Sequence, residues 1–415
     1  MLHVQKSLFW AVKLSKSITL TDGERLLIDA LQIAPRISWS ALGAALGISA
    51  VTAARRWRHL SENGVAWVTV GPGMTYRNAQ CLAYVEITCQ PAHRMRVAQE
   101  LATHPPALNV ELTSGRADIL VTVAAADLTT MSHYLLEHLG QVEHVLTTRA
   151  WFATRLYAEG SVWRLGDLAP RAAALLEQRR DDRPAQRPGD APLALTDTLK
   201  TMLTHLSHDG RASYAELAER AGVSPTTARR QVEYLLASGV ILPRTDVAAA
   251  VCGWPVQVYL WANAPVDARA DSAQALSRLR QARLCATVAA ESSLVLGTWL
   301  RTVEEVHRLE LAMAAKLPQV QVVDRLIVLR TVKRMGRLLD EQGRAIGHVP
   351  VNFWDDLTEH GALPIGSLST LRTGRRGGGR WPASRWAARR KSHPMSGRDR
   401  MILPPMMFPQ VGALL

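Results

Sequence analysis

The chain has 415 residues, 47% of them apolar, and a formal charge of +13, which allows two to four domains with real cores and excludes a disordered chain. No run approaches the roughly 18 apolar residues of a membrane helix, and residues 8–12 are too short a stretch for a signal-peptide core. Residues 372–400 hold ten Arg or Lys against one acid, Asp399, and Lys6, Lys13 and Lys16 add three more positive charges; the body between is nearly neutral, so the high charge is no evidence for nucleic-acid binding.

In chain order, Thr21 with Glu24 forms a T-x-x-E capping box before a first helix. Ser38 caps a second helix that stops at Gly47, and Ser49 caps a third that ends at Gly64. Ala53, Trp57 and Leu60 recur at i, i+4 and i+7 and face a core. Past Val65 the pattern changes to short β-branched runs. Strands are predicted over 83–88, 108–113, 119–124 and 142–151, with helices over 93–103 and 128–138. Gly71-Pro72-Gly73 reads as a wing or connecting turn. Residues 177–192 are charged and rich in Pro, and read as a flexible linker.

The same punctuation then returns. Leu42 to Ser49 aligns with Leu217 to Ser224, Thr52 to Leu60 with Thr227 to Leu235, and Gly64-Val65 with Gly239-Val240, all displaced by 175 positions. Ser213 and Glu216 form a capping box, Gly222 ends that helix, and Ser224-Pro225 opens the next with a cap and an N1 proline. Ala228, Val232 and Leu235 take the core positions. Strands are predicted over 256–262, 284–289, 294–300 and 320–331, with helices over 272–281 and 303–316. Both halves thus read as three helices followed by β-α-β-β-α-β, an α+β fold.

The third helix of each half has the composition of a recognition helix. Ser49, Val51, Thr52, Arg55 and Arg56 face outward in the first, and Pro225, Thr226, Thr227, Arg229 and Arg230 in the second. Short side chains let such a helix enter a major groove, and the arginines reach guanine edges or phosphates. The alternative is a helix-turn-helix kept only for packing or pairing. His205 and His208, at i, i+3, are a solvated helix face before they are a metal site. Trp151, Trp254, Trp261 and Trp299 are read as core on strands rather than as a ligand cage. The four cysteines (Cys81, Cys89, Cys252, Cys285) show no C-x-x-C spacing, which argues against a disulfide framework or zinc site and fits a reducing cytoplasm. There is no P-loop, nucleophile elbow or G-x-G-x-x-G before a helix, and no cofactor is indicated.

On Leu42, Gly47, Ser49, Thr52, Arg55, Leu60 and Gly64-Val65, and on Ala218, Gly222 to Pro225, Thr227, Arg229-Arg230, Leu235 and Gly239 to Ile241, the chain resembles the leucine-responsive regulator/AsnC (Lrp/AsnC) family of transcription factors in a tandem-duplicated form. The resemblance covers about residues 19–357. It implies two copies of a winged helix-turn-helix followed by a ferredoxin-like (RAM/AsnC-type) domain. The expected divisions are 19–78 and 79–168 for the first copy, a linker over 169–194, 195–250 and 251–357 for the second, and a disordered basic tail over 358–415. It also implies a non-enzymatic regulator that binds double-stranded DNA, pairs its sheet domains (here as an intrachain pseudo-dimer), assembles into higher homo-oligomers, and takes an amino acid or similar effector. The family's effector turn falls on Ser114 to Asp118, which assigns Gly115, Arg116 and Asp118 to that role; the second copy has neither Gly nor Asp there. Sirohaem decarboxylases share this two-domain architecture, but the histidine- and arginine-bearing strand motif they carry is not found here. A co-regulator that pairs with family members without touching DNA is the third reading.

Overall fold

The computed structural model describes residues 18–73, 80–181 and 196–351. The basic tail and the second half of the expected linker lie outside the described residues. Three helices, α1 (Asp22–Ile33), α2 (Trp39–Leu46) and α3 (Ala50–Glu62), lead into β1 (Ala66–Pro72). There follow β2 (Cys81–Cys89), α4 (Arg94–Leu101), β3 (Ala107–Thr113), β4 (Ile119–Ala125), α5 (Leu128–His133), β5 (Val145–Ala158) and α6 (Pro170–Asp181). The order then recurs as α7 (Asp197–His208), α8 (Tyr214–Ala221), α9 (Pro225–Ala237), β6 (Ile241–Val247), β7 (Val256–Asn263), α10 (Arg269–Leu276), β8 (Ala282–Ala289), β9 (Leu294–Leu300), α11 (Glu305–Lys316) and β10 (Gln321–Arg334). A short hairpin, β11 (Arg337–Leu339) and β12 (Ala345–His348), closes the described chain.

Local chemistry sets the helix ends. Both capping boxes form: Thr21 and Glu24 exchange side-chain and backbone hydrogen bonds, as do Ser213 and Glu216. Gly47 and Gly222 end α2 and α8 at φ +67° and +65°, a conformation that penalises any residue with a Cβ. Beyond His133 the helix predicted to reach 138 widens into a π-type turn over Tyr134–His138.

Within each half the four strands take the ferredoxin-like order, β3-β4-β2-β5 and β8-β9-β7-β10. The halves are then joined edge to edge, because β5 pairs with β8 and β10 pairs with β3, all antiparallel. The eight strands close on themselves, so neither half keeps the open outer strand that would otherwise invite pairing with another chain. The two junctions match pair for pair: Ala153↔Val288 and Arg155↔Thr287 at one, Val328↔Thr113 and Arg330↔Leu112 at the other, with register shifts at corresponding places. Helices α4 and α5 cover one sheet over Val85, Ile87 and Val121; α10 and α11 cover the other over Val258, Leu260 and Leu296. Between the facing sheets lies an aromatic core of Tyr84, Trp151, Tyr259 and Trp261.

Two expectations are corrected. The linker assigned to 169–194 opens with α6, where Pro170 sits at the helix start and Ala and Leu follow; Leu176 is fully buried in the core of the first helix-turn-helix. The charged run further along masked that short apolar stretch. Gly71 and Pro72 belong to a wing strand rather than a connecting turn: they end β1, which pairs antiparallel with β6 of the other half. Each helix-turn-helix has one wing strand, and the partner strand comes from across the molecule, which no local pattern reveals. Of the four tryptophans read as strand core, Trp254 lies just before β7 rather than on a strand, though it is buried.

Candidate nucleic-acid interface

Ala53, Trp57 and Leu60 of α3, and Ala228, Val232 and Leu235 of α9, are buried as their spacing predicts. The opposite faces carry the predicted DNA-facing residues. Ser49 accepts the Thr52 amide at 3.1 Å and donates to the Thr52 hydroxyl at 2.9 Å, while Ser224 accepts the Thr227 amide at 3.2 Å. These four residues therefore spend part of their hydrogen bonding on holding the helix starts. Val51, Arg55, Pro225, Thr226, Arg229 and Arg230 are exposed, Val51 at 78%. Arg56 is half-buried and lies back over Gly23 at the start of α1, where a Cβ would meet its guanidinium. Arg229 forms an i,i+4 ion pair with Glu233 at 2.8 Å. Arg55 on one helix and Arg230 on the other are exposed cations at corresponding positions.

The two helix-turn-helix units are clasped reciprocally. The guanidinium of Arg36 donates to the carbonyls of Gly210 and Ala212; that of Arg211 donates to the carbonyls of Pro35 and Ile37. Arg211 lies 3.8 Å over the Trp39 ring and Arg36 5.5 Å over the Tyr214 ring. Every member of this set is displaced from its counterpart by 175 positions. In the wing ribbon Thr69 faces Arg244, also 175 apart, so the local two-fold axis passes through that pair. Sequence reading missed Arg36 and Arg211, although R-x-S followed by an aromatic (Arg36 to Trp39, Arg211 to Tyr214) recurs at the repeat offset and could have found them.

At the sheet junction Gly115 takes φ +92° and packs against Leu326 of the other half. Arg116 makes a two-pronged pair with the buried Glu86, Nη2 to Oε1 at 2.7 Å and Nε to Oε2 at 3.1 Å. It also meets Asp324 of β10 at 3.1 Å and lies 4.8 Å from the Trp151 ring centre. Asp118 is not brought to the same place: it accepts the Cys89 amide at 2.8 Å and pairs with Arg94 at 2.6 Å. In the second half Glu291 stands where Arg116 stands in the first, and faces Arg149 at 3.8 Å. Between the facing sheets, under the wing ribbon, is a cavity of about 210 Å³ lined by Tyr84, Tyr259, Trp299 and buried charged groups. No helix among the described residues is long and apolar enough to cross a membrane, and no cluster of three metal-ligating side chains occurs among them.

Comparison with known proteins bears on both units. Residues 20–61 match the AsnC-type helix-turn-helix domain, residues 82–163 the Lrp/AsnC ligand binding domain, and residues 195–241 a winged helix-turn-helix DNA-binding domain. An uncharacterised HTH-type transcriptional regulator of Pyrococcus horikoshii is 22% identical over 141 residues, covering 34% of this chain and 89% of its own length. A similar regulator of Pyrococcus abyssi is 23% identical over the same shares. Among solved structures, the siroheme decarboxylase NirDL superposes with a TM-score of 0.52 at 13% identity, over 82% of this chain and 99% of its own. At that identity the likeness is one of fold.

Proposed function

We propose that this chain, a DNA-binding transcriptional regulator of the Lrp/AsnC type, acts as a built-in pair in which one polypeptide supplies both halves of the DNA-reading unit. In this reading 19–78 and 195–250 are the two winged helix-turn-helix units, 79–168 and 251–357 the two sheet domains, and the halves descend from a tandem duplication. The supporting observation is the reciprocal Arg36 and Arg211 clasp, which ties the two recognition helices into one body before any DNA is met. Pre-organisation of this kind lowers the ordering cost of binding. Arg55 and Arg230, flanked by Thr52 and Thr227, reach bases or phosphates, while Val51, Thr226 and Pro225 leave room for the groove. Ser49 and Ser224 fix the helix starts, and Arg56 and Arg229 swing out from Gly23 and Glu233 to reach further phosphates. The outward faces differ (Ala54 and Arg56 against Arg229 and Gln231), so the target is an imperfect palindrome.

Effector gating belongs to the same reading. A ligand carboxylate arriving at Gly115 and Arg116, with Asp118 held apart on Arg94, would exchange with Asp324 on Arg116 and so loosen the junction of the halves. Further assembly of chains into higher oligomers is compatible with the closed sheet. The test is Arg55→Ala combined with Arg230→Ala: promoter affinity falls, and the slope of log affinity against log salt flattens by about one for each phosphate that the variant no longer neutralises. An unchanged gel shift and slope would refute the assignment.

The fold shared with a siroheme decarboxylase favours a second reading, an enzyme acting on a tetrapyrrole. The cavity, at about 210 Å³, falls below the ~300 Å³ at which pockets for drug-sized ligands begin, and a four-ring macrocycle is larger still. Titrating sirohaem into the chain leaves the Soret band unchanged in the regulator reading; a shifted band would favour the enzyme.

A further inference from the structure

The cavity between the sheets sits close to the two-fold axis, yet its lining is not two-fold. Tyr84 and Tyr259 correspond at the repeat offset, and Tyr259 donates its hydroxyl to Glu111 at 2.7 Å. The residue corresponding to Glu111 in the other half is Ala286, and the Tyr84 hydroxyl, fully buried, has no hydrogen-bond partner among the described residues. An acceptor is thus present on one side of the axis and missing on the other. Leaving a buried hydroxyl unpaired costs about 1–3 kcal/mol, so an acceptor that filled the gap would be held there.

The charge of the site points to the nature of that acceptor. Three buried guanidinium groups line it: Arg244, Arg283 and Arg334. Asp246 takes Arg283 at 2.6 Å and Arg244 at 2.9 Å, and Glu159 takes Arg244 at 2.9 Å. The third carboxyl, Glu111, is pushed upward by burial toward its neutral form, against the pull of Arg334 and its own hydrogen bonds. The Nε of Arg244 is buried without a partner among the described residues. Arg155, exposed, adds a cation on the solvent side. The apolar walls include Trp299, over which Arg283 lies at 3.7 Å, together with Leu284 and Leu108. The volume exceeds the ~150 Å³ of an apolar protein cavity known to admit benzene.

We propose that this cavity binds one small monocarboxylic acid with a single aromatic ring per chain, the carboxylate accepting from the Tyr84 hydroxyl and the buried arginines and the ring lying among the aromatic and leucine walls. The site is separate from the turn at Arg116. Gly71, Pro72 and Leu242 of the wing ribbon line it as well, so an occupant touches the strands that join the two helix-turn-helix units. That coupling to DNA rests on the regulator reading; the binding itself does not.

The experiment is calorimetric titration of the full chain, without DNA, using benzoate, phenylacetate and 4-hydroxyphenylacetate, each beside its neutral amide. At least one acid binds at a stoichiometry of one per chain at millimolar concentration or below, and its amide binds at least tenfold more weakly. Tyr84→Phe removes a hydroxyl that pairs with none of the described residues, so the free protein keeps its melting temperature or gains a little, while affinity for that acid falls at least fivefold. No heat with any of the three acids, equal binding of acid and amide, or an unaltered affinity in Tyr84→Phe would each overturn the proposal. Because the readout uses the protein alone, a chain that failed to bind DNA would leave this result standing, and the converse also holds.

Discussion

The turn over Ser114 to Asp118 and its counterpart over Ala290 to Ser293 occupy equivalent places in the two sheets, with Arg116 in one where the other has Glu291. Arg116 faces Asp324 across one junction, and Glu291 faces Arg149 across the other. Register supports the equivalence: Glu86 pairs with Arg149 on one sheet, and Trp261 with Asp324 at the corresponding step on the other. Two copies of the first half would set Arg116 against Arg149, and two copies of the second would set Glu291 against Asp324. Like charges so placed oppose self-pairing, and unlike charges favour the mixed pair. The third helices differ less, keeping the serine caps, the core positions and one aligned outward arginine (Arg55 and Arg230), while Ala54 and Arg56 stand against Arg229 and Gln231. The halves are complementary where they meet each other and alike but not identical on the faces proposed to meet DNA.

The strongest way to break this comparison is at the clasp. Arg36→Ala with Arg211→Ala removes charge-assisted hydrogen bonds to four carbonyls and two cation–π interactions, at about 1.5–3 kcal/mol for a hydrogen bond to a charged group. Since such terms do not add fully, a loss of about 3–5 kcal/mol in urea unfolding is expected, with DNA affinity falling by more than the Arg55/Arg230 variant loses. If instead stability falls and DNA affinity holds, the clasp has no part in presenting the helices.

A second asymmetry sharpens the comparison. Lys333 is wholly buried and donates to the His104 carbonyl at 2.8 Å, while Ala158 holds the corresponding place in the first half. Burial pulls the Lys333 amine down to about 7. Below that pH it is charged in both states and bears the burial cost only when folded. Between pH 7 and about 10.4 the unfolded chain keeps a proton that the folded one has released, so stability rises with pH across this window. A gain of about 2–4 kcal/mol from pH 7 to 10 is expected by chemical denaturation. Lys333→Met abolishes this rise; a rise that survives the substitution would assign it to another group.

The smallest effect belongs to the exposed charge pair. Arg149→Glu, which sets two acids together, costs no more than about 1 kcal/mol, and adding Glu291→Arg restores the loss. A double variant no better than the single would show that this junction does not read charge.

Much of the fold was legible because its signals are local. The capping boxes, the helix-ending glycines and the core triplets of α3 and α9 each lie within one or two turns of chain, and the 175-residue offset multiplies them. The wing pairing of β1 with β6 and the polar set between the sheets were not legible, because Glu111, Arg244, Asp246, Arg283 and Arg334 are scattered singles whose meeting depends on closure of the sheet. The predicted DNA-facing residues are exposed, apart from the half-buried Thr52, Arg56 and Thr227. The surroundings of Arg116 and Asp118 were invisible, since their partners come from other strands and, for Asp324, from the other half.

The central claim, that one chain carries a complete and asymmetric pair of DNA-reading helices, is tested most directly by selecting bound duplexes from a random DNA library with the full chain, footprinting the winners, and measuring the mass of the complex. The account predicts two unlike half-sites protected by a single chain. A strictly symmetric site held by two chains, each protecting one half, would contradict it.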